Sequence, residues 1–503
     1  MIEIFLGPPG TGKTETSIRI VEKCLADGVP PDRIAYLAFT RRASLEAKHR
    51  AMERFNLSAS DLPYFRTLHS LAYTQIGIIR SQIMGRKHFD EVADWLKIGS
   101  FFGYDTETGP FRDFGYGDKY LELINIARII QKPLRKVYED SPSRHLITWR
   151  NLEYVARGLA HYKKVHSMFD YTDMIEHFIA SEFAPRLDVV IVDEAQDLSS
   201  LQWRMVHKIA ERAQRVYIAG DDDQAIYRWA GADVEHFINL AGKVHTLSQS
   251  YRIPRSHHEV SQKLIQRIFM RRDKTFMPRD EDGTLFWYRH SEQVDLSSGD
   301  WLLLARTVRG ANQLEEEVRS RGFLYDFEGS STADSKVIRA ITLWERLREG
   351  ARLPVAEIRK VYKYFRTNDQ IAYGYKGLPN IEEDGLYSLQ DLMDNFGLMT
   401  KAPWHEALAL VSERDRRYIA ACLKKGENLT GKPRIRISTI HRAKGAQADN
   451  VCLVTDISKR SRSRWTAAEQ DDEARVFYVG LTRAKQSLHL VHPMHGHGYI
   501  IPA

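Results

Sequence analysis

Residues 189–197 read Val189-Val190-Ile191-Val192-Asp193-Glu194-Ala195-Gln196-Asp197, an apolar run that ends in acids. A continuous apolar run of this length is expected of a strand buried on both faces of a parallel sheet. Ligands of such sheets sit just beyond the carboxyl ends of the strands, where Asp193 and Glu194 fall. A second run, Val216-Tyr217-Ile218-Ala219, leads into Gly220-Asp221-Asp222-Asp223-Gln224-Ala225-Ile226-Tyr227-Arg228-Trp229-Ala230-Gly231. Adjacent acids at a strand end suit a divalent metal and an activated water. Gln224 followed by Tyr227 and Trp229 sets a polar sensor beside two stacking surfaces. One segment therefore combines parts for nucleotide hydrolysis with parts for gripping bases.

Toward the N-terminus, Ile2–Leu6 runs into Gly7-Pro8-Pro9-Gly10-Thr11-Gly12-Lys13-Thr14, followed by a helical pattern through Ile18, Val21 and Leu25. This is a phosphate-binding GxxxxGK[ST] loop in its strand–loop–helix context. Glycines admit backbone N–H groups to phosphate oxygens, and the helix N-terminus adds its dipole. Lys13 is expected at the β- and γ-phosphates and Thr14 at Mg²⁺. The next buried strand, Ile34–Thr40, opens a helix at Arg41-Arg42-Ala43. Phe39 there is either a core ring beside a solvated basic face or a base-stacking ring beside phosphate cations. In Phe65-Arg66-Thr67-Leu68-His69-Ser70, His69 alone reads as a structural or surface histidine.

From about residue 71 to 166 the strand-then-motif rhythm is lost. Helical patterns (120–130, 152–162) with basic residues and Trp95 and Trp149 read as an inserted subdomain, either structural or lining a nucleic-acid path. Beyond Gly231, Leu247-Ser248-Gln249-Ser250-Tyr251-Arg252-Ile253-Pro254 offers Tyr251 as a base stacker and Arg252 as a phosphate cation, and Phe269–Lys274 reads as a basic loop. Trp301–Ala305 begins a second α/β unit, interrupted by a mainly helical stretch over about 331–432. Strand signals resume at Arg434–Thr439, before Ile440-His441-Arg442-Ala443-Lys444-Gly445 and the strand Asn450–Val454. The end reads Val476-Phe477-Tyr478-Val479-Gly480-Leu481-Thr482-Arg483-Ala484-Lys485. Arg483 is a surface arginine if isolated, or an arginine finger if brought to a nucleotide. Ser458–Arg464 reads as a short basic, serine-rich loop.

The chain has 503 residues, 43% hydrophobic and 28% charged, which suits a globular protein of three or four structural units. A net charge of +7 over this length is a weak pull toward polyanions, so the local clusters carry that argument. Cys24, Cys422 and Cys452 lie far apart, which excludes a disulfide framework and a zinc module. They suit a reducing compartment, here a bacterial or phage-infected cytoplasm, with a nucleus as the alternative. No apolar run reaches the roughly 18 residues of a membrane span.

In this order the segments resemble the motif series of superfamily 1 DNA helicases of the UvrD/Rep/PcrA type. GPPGTGKT resembles motif I, LAFTRRA motif Ia and TLHSLA the DNA-contact motif that follows. VDEAQD resembles motif II, GDDDQAIYRWAGAD motif III, QSYRIP motif IV, STIHRAKG motif V and VFYVGLTRAK motif VI. The resemblance implies an α/β fold of two RecA-like P-loop NTPase domains with parallel sheets, each carrying a mainly helical insertion. The first domain would be 1–70 with 167–250, its insertion 71–166. The second would be 251–330 with 433–503, its shortened insertion 331–432.

By the same resemblance the cofactors are ATP and Mg²⁺. Gly7 to Thr14 cradle the phosphates, Thr14 and Asp193 hold the metal, and Glu194 activates the attacking water. Gln224 senses the γ-phosphate, while Arg252 and Arg483 reach the phosphates from the second domain. Phe39, Tyr227 and Trp229 form a stacking ratchet, and Thr40, Arg42, Thr67, His69, Thr439 and His441 lie along the DNA. Only six residues precede Gly7, so the family's upstream adenine-reading glutamine has no counterpart. Tyr251 is left to stack the base and Gln447 to bond a ribose hydroxyl. The partners implied are single-stranded DNA, junctions with duplex, and replication or repair proteins, for a monomer or weak self-associator. The compact chain starting at the P-loop suggests a phage or mobile-element enzyme. The function implied is an ATP-dependent helicase moving 3′→5′; a translocase that strips proteins from DNA and an ATP-gated clamp or recombination mediator are the alternatives.

Overall fold

A computed structural model describes residues 2–99, 104–105, 109–110, 116–182, 184–457, 465–493 and 498–502; the basic loop read at Ser458–Arg464 lies outside the described residues. The chain forms two compact units, Met1–Asp282 with Trp465–Thr482, and Gly283–Arg464 with Arg483–Ala503.

The first unit is built on six parallel strands: β1 (Ile2–Leu6), β2 (Ile34–Ala38), β3 (Phe65–Thr67), β4 (Val189–Asp193), β5 (Arg215–Gly220) and β6 (Lys243–Thr246). Their order across the sheet is β3-β2-β4-β5-β1-β6. Every residue of β2 and β4 is buried, as their unbroken apolar patterns require of central parallel strands. Register sets the site: Leu6 pairs with Gly220 and Ala38 with Asp193, so the loops after β1, β2, β4 and β5 leave one edge of the sheet together. Helices cover both faces, with Ile4, Val190 and Val192 packed in one core and Tyr36, Val189 and Ile191 in the other.

The first insertion has its own core, running from Met84 through Val92, Leu121, Leu152 and Leu159 to Met168. The expected start at 71 falls inside the helix Leu68–Gln75, whose Leu71 and Ala72 pack against the sheet instead. The helices read at 120–130 and 152–162 span Tyr116–Ile129 and Trp149–His166.

The main sheet of the second unit has seven strands: β7 (Thr284–Tyr288), β8 (Trp301–Ala305), β9 (Tyr325–Phe327), β10 (Ser330–Ser331), β11 (Ile435–Thr439), β12 (Ala448–Val454) and β13 (Ala484–Val491). The order is β10-β9-β11-β8-β12-β13-β7, parallel except for the β9–β10 pair. The helices of its insertion, Lys336–Arg348, Val355–Tyr362 and Glu413–Lys424 among them, share one core with this sheet through Trp344, Ile358, Ile419, Leu303 and Ile437.

Two segments lie elsewhere than the domain boundaries read from sequence. Residues 251–282 belong to the first unit, not the second, and so does the helix Ala467–Leu481. Hydrogen bonds explain both. Tyr251 N donates to Gly10 O at 2.9 Å and Ser250 Oγ to Pro9 O at 2.8 Å, tying the segment to the P-loop. Asp471 then accepts from the backbone N–H of Phe269 and Met270, each at 2.9 Å.

Candidate nucleotide and nucleic-acid site

The P-loop leaves β1 through a hydrogen bond from Gly7 N to Gly220 O (3.0 Å) and enters the helix Lys13–Ala26. Thr11 Oγ1 donates to Pro8 O at 2.8 Å, closing the loop on itself. Gly10 and Gly12 have φ of 76° and 82°, the left-handed region that favours glycine. At Gly10 a Cβ would also collide with that of Arg252 and lie 2.8 Å from Ser250 Oγ. Lys13 Nζ donates to Gly7 O at 2.8 Å and stands 3.9 Å from Glu194 Oε1.

At the end of β4, Glu194 takes a left-handed conformation (φ 52°, ψ 40°), uncommon for a residue with a side chain. That turn separates two adjacent carboxylates. Asp193 stays buried, its Oδ1 accepting from Glu194 N (2.9 Å) and its Oδ2 from the Tyr36 hydroxyl (2.6 Å). Burial, and then the neighbouring Glu194 charge, push its pKa up to about 6. Glu194 is 32% exposed, with Oε2 accepting from Gln196 Nε2 at 2.6 Å. Gln196 is itself fully buried and accepts from Asp221 N at 3.0 Å, bridging the ends of β4 and β5.

The acids after β5 are different. Asp221, Asp222 and Asp223 are completely buried, and Lys274 Nζ lies 3.2, 2.6 and 2.8 Å from them. Arg271 forks onto Asp223 (2.9 and 2.8 Å), and Arg272 N donates to Asp222 Oδ2 at 2.8 Å. Burial works against the charge on Lys274, but the three carboxylates outweigh it and raise its pKa. The expectation that adjacent acids here serve a metal is therefore corrected for Asp221–Asp223: their oxygens are occupied by cations from residues 271–274. The stretch read as a basic loop is the seal on this cluster. Arg475 completes it, donating from Nε to Asp222 O at 2.9 Å and to Met270 O. Gln224 Nε2 donates to Asp221 Oδ2 at 2.6 Å, so the sealed cluster holds the Gln224 amide in place.

Beyond Gln224 the same loop carries the rings. Tyr227 stacks on Phe39 at 5.6 Å and 26°, and Trp229 follows at 6.5 Å from Tyr227, 46% exposed. Phe39 is thus both partly buried and part of a ring series at the sheet edge. Thr40 and Arg42 are exposed beside it, Thr40 capping the helix Arg41–Phe55 through Ala43 N (3.2 Å). Thr67 caps the next helix through Ser70 N (3.2 Å), and His69 sits edge-on to Tyr171 with its pKa lowered by burial to about 4.

Arg252 lies in the first unit, against the P-loop, and not in the second as the resemblance implied. Its Nε is buried without a hydrogen-bond partner, and burial lowers its pKa. A buried guanidinium whose Nε lacks a partner, beside a glycine-rich loop, fits a phosphate. Tyr251 is 75% exposed. In the second unit Thr439 ends β11 beside Ala305, and His441 follows with its pKa lowered to about 3 by burial, then by Arg306 and Lys444. Gln447 is exposed just before β12, and buried Arg483 donates to Ala446 O at 3.4 Å while its own carbonyl accepts from Ala448 N.

Tyr36, Gln196, Lys274, Arg271 and Arg475 escaped the sequence reading. Gln196 was visible inside VDEAQD, but nothing local signalled that its amide would span two strands. Lys274 is remote in sequence from the acids it neutralises, and Arg475 from the Asp222 and Met270 carbonyls it bonds.

A parallel sheet with a P-loop after its first strand and an acid pair at a neighbouring strand end defines a P-loop nucleotide hydrolase. The UvrD/REP helicase N-terminal domain model matches residues 4–245 and the UvrD-like helicase C-terminal domain model residues 380–493, together well over half of the chain. The chain is 22% identical to the ATP-dependent DNA helicase PcrA of Bacillus subtilis (strain 168), covering 97% of this chain and 80% of that one. It is also 22% identical to a probable DNA helicase II homolog of Rickettsia felis (97% and 90%) and 21% identical to a probable DNA helicase of Mycoplasma pneumoniae (97% and 80%). The chain belongs to the UvrD-like family of superfamily 1 ATP-dependent DNA helicases, enzymes that hydrolyse ATP and bind DNA. Among the described residues no helix is long and apolar enough to cross a membrane.

Proposed function

We propose that this enzyme moves 3′→5′ along single-stranded DNA and separates duplex at the junction, coupling each ATP to a step. The observation that carries this reading is the single loop after β5. It holds Gln224 against Asp221 and, three and five residues on, presents Tyr227 and Trp229 in series with Phe39. A sensor and a stacking surface on one short loop make nucleotide state and base grip parts of one rigid piece. Stacking is worth about 1–3 kcal/mol per base and tolerates any sequence, so stepping needs no base readout. A base-pair step costs about 1.4 kcal/mol in stacking, within reach of one turnover.

In this reading Lys13 and the loop amides hold the phosphates, Arg252 and Arg483 are the phosphate cations, and Glu194 takes the proton of the attacking water. Thr14 and Asp193 are the residues that would hold Mg²⁺, a hydroxyl and a carboxylate of the hard-oxygen kind that ion takes together with phosphates. When bound, the ion neutralises charge on the phosphoryl oxygens. Tyr251 stacks the base and Gln447 bonds the ribose. Thr40, Arg42, Thr67, His69, Thr439 and His441 lie along the DNA backbone.

ATP hydrolysis measured with and without single-stranded DNA, followed by strand displacement from 3′- and 5′-tailed duplexes, tests the proposal. The expected result is DNA-stimulated turnover and displacement from the 3′-tailed substrate alone. Hydrolysis indifferent to DNA would refute the motor; stimulation without displacement would leave a translocase that does not unwind.

A further inference from the structure

We propose that Tyr36 is a positioning residue of the hydrolytic site, its hydroxyl reaching from β2 to fix the carboxylate of Asp193 for the divalent cation that accompanies the nucleotide. This rests on Asp193 being a ligand of that cation.

Strand β2 reads Ile34-Ala35-Tyr36-Leu37-Ala38, and Tyr36 carries its only polar side-chain atom. Packing alone does not call for that atom. The Tyr36 ring is fully buried and stacks on Phe65, its register partner on β3, at 5.5 Å and 18°, a role phenylalanine would fill. A buried hydroxyl costs free energy unless it is bonded. The Tyr36 hydroxyl is bonded to Asp193 Oδ2 at 2.6 Å, across 157 positions of sequence.

Asp193 Oδ1 is held separately by Glu194 N at 2.9 Å. Each oxygen thus receives one donor, Oδ2 from β2 and Oδ1 from the turn after β4, and the carboxylate plane is fixed with acceptor capacity left on both atoms. With only the Glu194 N–H remaining, the group could turn about its terminal torsion, which is soft for aspartate. Ligand groups of metal sites depend on such outer partners for orientation, and loss of one typically weakens metal affinity ten- to a hundred-fold.

The test uses the full chain with ADP and Mn²⁺ as a paramagnetic probe, free Mn²⁺ being read by electron paramagnetic resonance, beside ADP affinity without metal. Tyr36→Phe is expected to weaken Mn²⁺ binding roughly ten-fold, the size of one hydrogen bond to a charged group, and to leave metal-free ADP affinity unchanged. Asp193→Asn is expected to weaken Mn²⁺ binding further. Phe65→Leu, which disturbs the ring stack and spares the hydroxyl, is expected to retain Mn²⁺ affinity. If Asp193→Asn loses Mn²⁺ and Tyr36→Phe does not, the positioning role falls while Asp193 stands as the ligand. If Asp193→Asn binds Mn²⁺ like the native chain, the premise and the proposal fall together. An equal loss in Phe65→Leu and Tyr36→Phe would assign the effect to packing and overturn the role of the hydroxyl.

Discussion

Two groups of acids stand at the ends of neighbouring strands, and they are opposite in kind. At the end of β4, Lys13 stands 3.9 Å from Glu194, and Asp193 and Glu194 accept from a hydroxyl, a backbone N–H and an amide. Asp221, Asp222 and Asp223 after β5 are closed in by Lys274 and Arg271 at 2.6–3.2 Å. The first pair keeps acceptor capacity, and Glu194 keeps partial exposure; the second has exchanged both for ion pairs. Acids in a row therefore do not identify a metal or catalytic site. What distinguishes the two is whether cations from elsewhere in the chain already occupy the oxygens. The sealed group makes a rigid base from which Gln224, Tyr227 and Trp229 project.

This contrast predicts substitutions that separate chemistry from scaffold. Glu194→Gln should give the largest effect, a loss of about 10²–10⁴-fold in ATP turnover, the usual share of a general base, with thermal unfolding unchanged. Retained turnover would remove Glu194 from that role. Lys274→Met should do the reverse through stability. It leaves three buried carboxylates without their shared cation, a cost on the order of 3–5 kcal/mol, read as a lower urea midpoint of the first unit. An unshifted midpoint would show that the cluster is not a keystone.

Trp229→Ala should weaken single-strand binding about ten-fold, by the worth of one stacked base, and leave both the urea midpoint and DNA-independent hydrolysis unchanged. Unchanged DNA affinity would detach the rings from the track. The smallest effect is expected from Arg271→Lys, which keeps the charge and loses the fork on Asp223. A destabilisation of about 1 kcal/mol would mark the worth of that geometry, and none would show that Arg271 contributes through its charge and not its fork.

Much of this arrangement was legible before any coordinates. The P-loop announced itself through glycines at positions that do have positive φ, and the central strands β2, β4 and β8 through apolar runs that need burial on both faces. Ring and sensor spacing in residues 220–231 was equally local. The edge strands were not: β6 (Lys-Val-His-Thr) and β7 (Thr-Leu-Phe-Trp-Tyr) are largely solvent-facing and carry no clear alternation. Domain limits failed at 250/251 because a boundary depends on which surface a segment covers, and the hydrogen bonds from Ser250 and Tyr251 to the P-loop have no local signature.

By itself the amino-acid order determined the class of fold, the phosphate loop, the acid pair and the rings. Each rests on short-range rules of backbone conformation and burial periodicity that a few consecutive residues satisfy. Only the tertiary structure decided which acids are paired with cations, that Arg252 stands with the P-loop, and that Tyr36, Gln196, Lys274 and Arg475 bond to the ends of β4 and β5. Those assignments depend on partners tens to hundreds of residues apart. Ionic and hydrogen-bond pairing inside a protein is set by proximity in space, which the local sequence does not encode.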